Sequence, residues 1–230
     1  MKRYFLATAI TIAATLSSFA TRAADDAPQI QIAAGNSAND KMVIEAAPRR
    51  VVGEMIQRQF GTGLIEQLTV KQVNADGSYT MVDQLGRTWA YNADGNIVKG
   101  YGRATGTAMT YSPFHPIFQF PMGPGQKWQK TVSWQGGGWQ GTYTVYTAVG
   151  GWETVSLTIN GQMQSVTALR FNSEVTQSGS SSTKSTCLFA PAIKATVKCE
   201  SADPAFTLTV TGRQIIDNDR ATQTNSAQKQ

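Results

Sequence analysis

His115 is the only histidine in the 230-residue chain, and it stands between Phe114 and Pro116 in the segment YSPFHPIFQFPMGPGQKWQ, residues 111 to 129. A Ser-His-Asp arrangement would have to use it as the base. No G-x-S-x-G elbow marks a serine to pair with it, and no second histidine exists for an H-E-x-x-H metal site. Paired carboxylates for glycoside cleavage need two acids in a shared cleft, whereas Glu66, Glu153 and Glu174 each stand in alternating strand context where a solvated acid is expected. The segment GYGRATG places its third glycine one residue too late for a dinucleotide fingerprint. The tetrapeptide NADG, at 74–77 and 92–95, carries one carboxylate where a calcium loop needs several. The expectation is a non-enzymatic protein without metal or cofactor.

Cys187 and Cys199 are the two cysteines, with eleven residues between them. CLFAPAIKATVKC lacks C-x-x-C spacing and has no histidine nearby, so a structural disulfide is favoured over a redox or metal pair. In the chain-entropy account such a bridge is worth about 3 kcal/mol. The aromatic residues are the stronger lead to function. Trp89, Trp128, Trp134, Trp139 and Trp152 fall on or beside strand-like runs, and an indole combines large apolar burial with one donor for orientation. They could line an apolar concavity or pack a core.

Export sets the context for both readings. Lys2 and Arg3 precede a 16-residue apolar run, Tyr4 to Phe19, followed by small residues around Ala20 and Ala23, the pattern of a secretory signal peptide over 1–23. No cysteine stands at the cleavage site to carry a lipid, so a lipoprotein is not expected. The location expected is periplasmic or secreted, without a spanning segment after cleavage. The formal net charge of +5 includes Lys2, Arg3 and Arg22; without them 17 basic residues face 15 acidic ones. A balance of +2, spread along the chain, is no nucleic-acid footprint.

Residues 24–47 show no sustained period and are expected to form a flexible lead-in, and 218–230 are expected to form a disordered tail. Between them, 48–217 form one β domain, because period-2 alternation with many threonines, valines and aromatics dominates. The two NADG turns join three strand-like runs: LIEQLTVKQV, then SYTMVDQLGRTWAYN with a softer break at Gly86, then NIVKGY. QKWQKTVSW places Trp128, Val132 and Trp134 on one face, with Lys130 interrupting it. QGGGWQG reads as a long hairpin loop. ETVSLTIN and AFTLTVTG alternate cleanly. The total is roughly nine to eleven strands, an all-β domain with a strongly curved antiparallel sheet, a half-barrel or incomplete barrel, or alternatively a β-sandwich. An outer-membrane barrel is disfavoured by the threonine-rich polar faces, the proline-rich insert and the polar C-terminus.

Pro113, Pro116, Pro121 and Pro124 remove backbone donors and fix φ, which confines the opening segment to an edge or a covering loop. Phe114, Ile117, Phe118 and Phe120 then either complete the core or form a lid over a ligand.

FPMGPGQKWQKTVSW, GGWETVSLTINGQMQSVTALRFN and STCLFAPAIKATVKCES, in that order over residues 110–201, resemble uncharacterised secreted bacterial half-barrel families, domains of unknown function. Such half-barrels are similar in shape to periplasmic lipoprotein carriers, which hold acyl chains on a concave face beneath a lid. The resemblance implies binding of a lipid or other apolar ligand. Cys187 and Cys199 depart from the pattern, standing where the family more often shows aromatics, so a bridge here would tie neighbouring strands. The candidate wall and lid residues are Trp128, Trp134, Phe114, Phe118 and Phe120. The alternative expectation is an envelope interaction or assembly module whose apolar surface is covered by another protein.

Overall fold

A computed structural model describes residues 42–102, 105–177 and 182–214. Twelve strands follow one another: β1 (Met55–Phe60), β2 (Ile65–Val73), β3 (Tyr79–Asp83), β4 (Thr88–Tyr91), β5 (Ile97–Tyr101), β6 (Ala108–His115), β7 (Lys127–Gly136), β8 (Trp139–Ile159), β9 (Gln162–Gln177), β10 (Thr183–Ala190), β11 (Ala195–Ser201) and β12 (Leu208–Gln214). Each pairs antiparallel with its sequence neighbour, and β1 pairs with β12, so the sheet closes into a barrel. The expected half-barrel or sandwich is corrected on this point. Closure runs over six partner positions, from Met55 opposite Gln214 to Phe60 opposite Leu208. It satisfies two strand edges that an open sheet would leave unpaired.

Alternation sets which residues enter the barrel. On β1, Ile56 and Phe60 are buried; on β2, Glu66, Leu68 and Val70; on β12, Leu208 and Val210. Two apolar clusters fill the interior. One gathers Ile56, Leu68, Val70, Met81, Trp89, Val197 and Val210 with Leu157 and Ile159 of the β8–β9 hairpin. The other gathers Phe60, Met122, Val149, Trp152, Leu169, Phe171 and Phe189 around the Cys187–Cys199 disulfide, which joins directly paired residues of β10 and β11. Strand β8, 21 residues long, serves both clusters because its register shifts between Val149 and Trp152, at Gly150 and Gly151. Outward positions on the long strands, such as Thr131, Ser133, Thr154, Ser156 and Thr158, are polar and exposed. That is the reverse of the apolar outer band of a membrane-spanning barrel. No helix among the described residues is long and apolar enough to cross a membrane.

Both NADG segments are hairpin turns, with Gly77 and Gly95 in the left-handed region at φ 84° and 80°. The Gly86 break is a third hairpin, which makes four strands of the three expected. There Asp83 caps the turn, its Oδ1 accepting from Leu85 N and Arg87 N, both at 2.9 Å. QGGGWQG is shorter than expected: only Gly137 and Gly138 separate β7 from β8, at φ 59° and 83°. The expected signal peptide, the tail from 218 and the lead-in up to residue 41 lie outside the described residues. Within 42–47, Ile44 exchanges two 2.9 Å backbone hydrogen bonds with Met122, and Trp152 Nε1 donates to the Met42 carbonyl.

Candidate functional site

The proline-rich segment divides in two. Its first part continues β6 to His115, paired with β5 on one side and β7 on the other. Its second part packs against the interior cluster at Phe189. The Phe118 ring lies 4.7 Å from Phe189 and 6.0 Å from both Phe171 and Phe120, centroid to centroid. Asn96, fully buried, holds this part in place: its Oδ1 accepts from Ile117 N (2.6 Å) and Phe118 N (2.7 Å), and its Nδ2 donates to Phe118 O (3.0 Å). The lid is therefore docked on its own core.

The five candidate residues separate accordingly. Phe118, Phe120 and Trp128 pack against the cluster around Phe171 and Phe189. Phe114 and Trp134 stand on the β6–β7–β8 arm. There the Lys130 ammonium lies 4.9 Å from the Phe114 ring centroid, a favourable cation–π placement. Trp134 is half-buried and lies over Gly141, where an added Cβ would meet its Nε1 at 2.9 Å. Beside it, His115 Nδ1 is 2.6 Å from Tyr143 Oη. His115 is a member of an aromatic set with Tyr111 and Tyr143.

At the tip of this arm Trp139 is 77 % exposed. It borders a shallow depression of about 420 Å³ lined also by Ala108, Thr110, Gln135, Gly136 and Gln140. The tip is braced from below: a Cβ at Gly136 would come within 2.3 Å of the Ala108 carbonyl, and one at Gly137 within 2.8 Å of Thr107. Such close backbone approach requires glycine. The indole is therefore presented on a hairpin whose position β6 fixes.

A polar layer that the sequence reading did not assign lies inside the barrel. Register places Arg58 opposite Glu66 and Arg213 opposite the buried Ile56. The Arg58 guanidinium hydrogen-bonds the Glu66 carboxylate, which is 3 % exposed, so the expectation of a solvated Glu66 is corrected. Glu174 is also buried, with Lys184 at 3.7 Å, and Glu153 pairs with Arg170. Burial opposes the Arg58 charge, but Glu66 and the hydroxyls of Tyr91 and Tyr79 outweigh it and hold the guanidinium above its ordinary value. Tyr79 and Tyr91 are cross-strand partners with stacked rings 4.8 Å apart. Glu54, also buried, receives Lys194 Nζ at 2.5 Å and has Arg50 Nη1 at 3.8 Å, while Arg50 Nη2 donates to the Lys194 carbonyl. Among the described residues no group of three histidine, cysteine or acidic side chains could hold a metal ion.

Burial pushes the hydroxyls of Tyr79, Tyr91 and Tyr143 above their ordinary value of 10.0. The unfolded chain then releases these protons first. Their contribution to stability is complete below pH 10 and is lost as pH rises through the folded values. In an alkaline titration at 295 nm these three tyrosines should stay protonated past the ordinary value and ionise with unfolding, and the urea midpoint should fall as pH rises above about 10. One transition at the ordinary value for all tyrosines would contradict their burial.

No protein-family model and no curated protein matches the sequence. The fold is similar to the crystal structure of the hypothetical lipoprotein YmcC from Escherichia coli (K12), with a TM-score of 0.45 and 15% sequence identity, covering 73% of this chain and 86% of that chain.

Proposed function

We propose that this protein is a non-catalytic binding module of the cell envelope that engages an envelope protein through the tip of its β6–β8 arm. The observation that carries the reading is Trp139, 77 % exposed on a braced hairpin beside a depression of about 420 Å³. A large exposed aromatic held rigidly loses little entropy on docking and offers much apolar area. The buried disulfide and the leader-like N-terminus support an extracytoplasmic location. The lid supports a surface site over an interior one, because Phe118 and Phe120 pack against the interior cluster around Phe171 and Phe189.

The test places a photocrosslinking amino acid at position 139 in cells, with a control at exposed Thr131 on the same arm. A discrete crosslinked envelope protein at 139 and none at 131, with a clean apo mass for the purified protein, is expected. A stoichiometric lipid adduct lost in Phe118→Ala, with no crosslink at 139, would overturn the reading in favour of an interior carrier.

A further inference from the structure

The polar end of the barrel carries more positive charge than it neutralises. Arg50, Lys194 and Arg213 gather around one buried carboxylate, Glu54. The Arg58–Glu66 pair nearby is balanced and contributes no net charge. Arg213 enters this group through its register opposite Ile56, and its Nη2 is buried without a hydrogen-bond partner among the described residues. Burial lowers the Arg213 value, Glu54 opposes that effect and Arg50 adds to it. Uncompensated buried charge of this kind is costly unless a counter-charge joins it.

A small pocket opens beside the cluster. It has a volume of about 20 Å³ and is bounded by Arg50, Lys194 and Tyr79, by the apolar walls of Phe118, Phe120 and Phe189, and by Asp94 on the exposed NADG turn. A space of this size holds one water or one atom slightly larger. Two cations that share the single carboxylate of Glu54 stand here on a largely apolar wall, which favours a further negative charge. The space suits a single small ion or one inserted oxygen atom. Asp94 is the one acid among the lining residues and is exposed.

We infer that this pocket is a binding site for a small monovalent anion, chloride or the oxygen of a carboxylate, held between Arg50 and Lys194. The ion ties together three pieces that meet there: the lead-in at Ala47 and Pro48, the lid at Phe118 and Phe120, and the turn that ends in Lys194. The inference is independent of the surface reading at Trp139.

The test uses ³⁵Cl line broadening on the purified protein, with thermal midpoints measured in sodium chloride, sodium formate and sodium isethionate at matched ionic strength. Isethionate is the bulkier, weakly coordinating comparison anion. Excess chloride broadening and a higher midpoint in chloride than in isethionate are expected. Displacement of chloride by formate identifies carboxylate as an accepted ligand, and failure of formate to displace restricts the site to halide; both arms support an anion site. Lys194→Asn, tolerated at this left-handed position (φ 59°), should weaken chloride by roughly tenfold or more through loss of a charged donor. Should that variant not fold, Glu54→Gln serves instead: it removes the competing carboxylate and should tighten chloride severalfold. Equal midpoints in all three salts without broadening, or broadening unchanged in these variants, would overturn the inference.

Discussion

Asn96→Ala should cost about 4 kcal/mol of folding stability, because three backbone groups of the lid lose their partner while buried. The side chain accepts from Ile117 N and Phe118 N and donates to Phe118 O, and no other described group bonds these atoms. An alanine leaves two donors and one acceptor without their partner beside the packed Phe118 ring. The loss is a large share of the roughly 5–15 kcal/mol that holds a domain together. Urea unfolding measures it, and Asn96→Asp supplies the control. The aspartate keeps both acceptor bonds but, when ionised, sets a buried charge without a counter-charge against Phe118 O, so its cost should be large near neutral pH and fall on acidification, when the protonated carboxyl can donate to Phe118 O. If alanine cost under about 1 kcal/mol, the lid would be held by its phenylalanines rather than by this side chain.

Asn96 also shows where sequence reading stops. An asparagine following an NADG turn looks like ordinary turn punctuation, and nothing local says that residues 117 and 118 will come to lie on it. The turns themselves were legible, since Asn-Ala-Asp-Gly carries its own geometry. The Gly86 hairpin was harder, because its turn is organised by the Asp83 side chain three residues earlier rather than by an Asn-Gly or Asp-Gly pair. Closure of the barrel was not legible. It depends on β1 meeting β12 across more than 140 residues of chain, and alternation reports which face of a strand is apolar without naming the strand beside it.

The candidate aromatic set was legible as a group and not by role. Trp128 and Trp134 share a strand face, six residues apart, yet one packs against the interior cluster and the other stands near the β7–β8 turn opposite β6. What separates them is what each faces: Trp128 packs against the cluster around Phe171 and Phe189, whereas Trp134 stands opposite Tyr111 and over Gly141 near the β7–β8 turn. Trp139 was noted as one of five, and only the two-residue turn before it shows why it is exposed. The buried acids could have been found by following phase. Glu66 lies in step with Leu68 and Val70, and Arg58 with Ile56 and Phe60, so alternation already assigned both to the inner face.

That phase leads to the second large effect. Arg58→Met at neutral pH should destabilise the protein by about 3–5 kcal/mol, because it leaves the Glu66 carboxylate buried without its partner. Glu66 is 3 % exposed, and Arg58 faces it across β1 and β2 with Tyr79 and Tyr91 beside them. Acidification should restore part of the loss, since protonating the carboxyl removes the uncompensated charge. The double variant Arg58→Met with Glu66→Leu should recover most of it, because two apolar side chains of similar size fill the same cross-strand space with no ion to desolvate. Urea midpoints of the single and double variants at two pH values measure this directly. A double variant as damaged as the single would mean that the guanidinium is needed for its contacts with Phe60 and the tyrosine pair rather than for the charge of Glu66. Recovery in the double variant would mean that the ion pair adds little net stability. Its consequence would then be positional, fixing β1 against β2 in the one register that also sets Arg213 and Glu54 at the barrel's polar end.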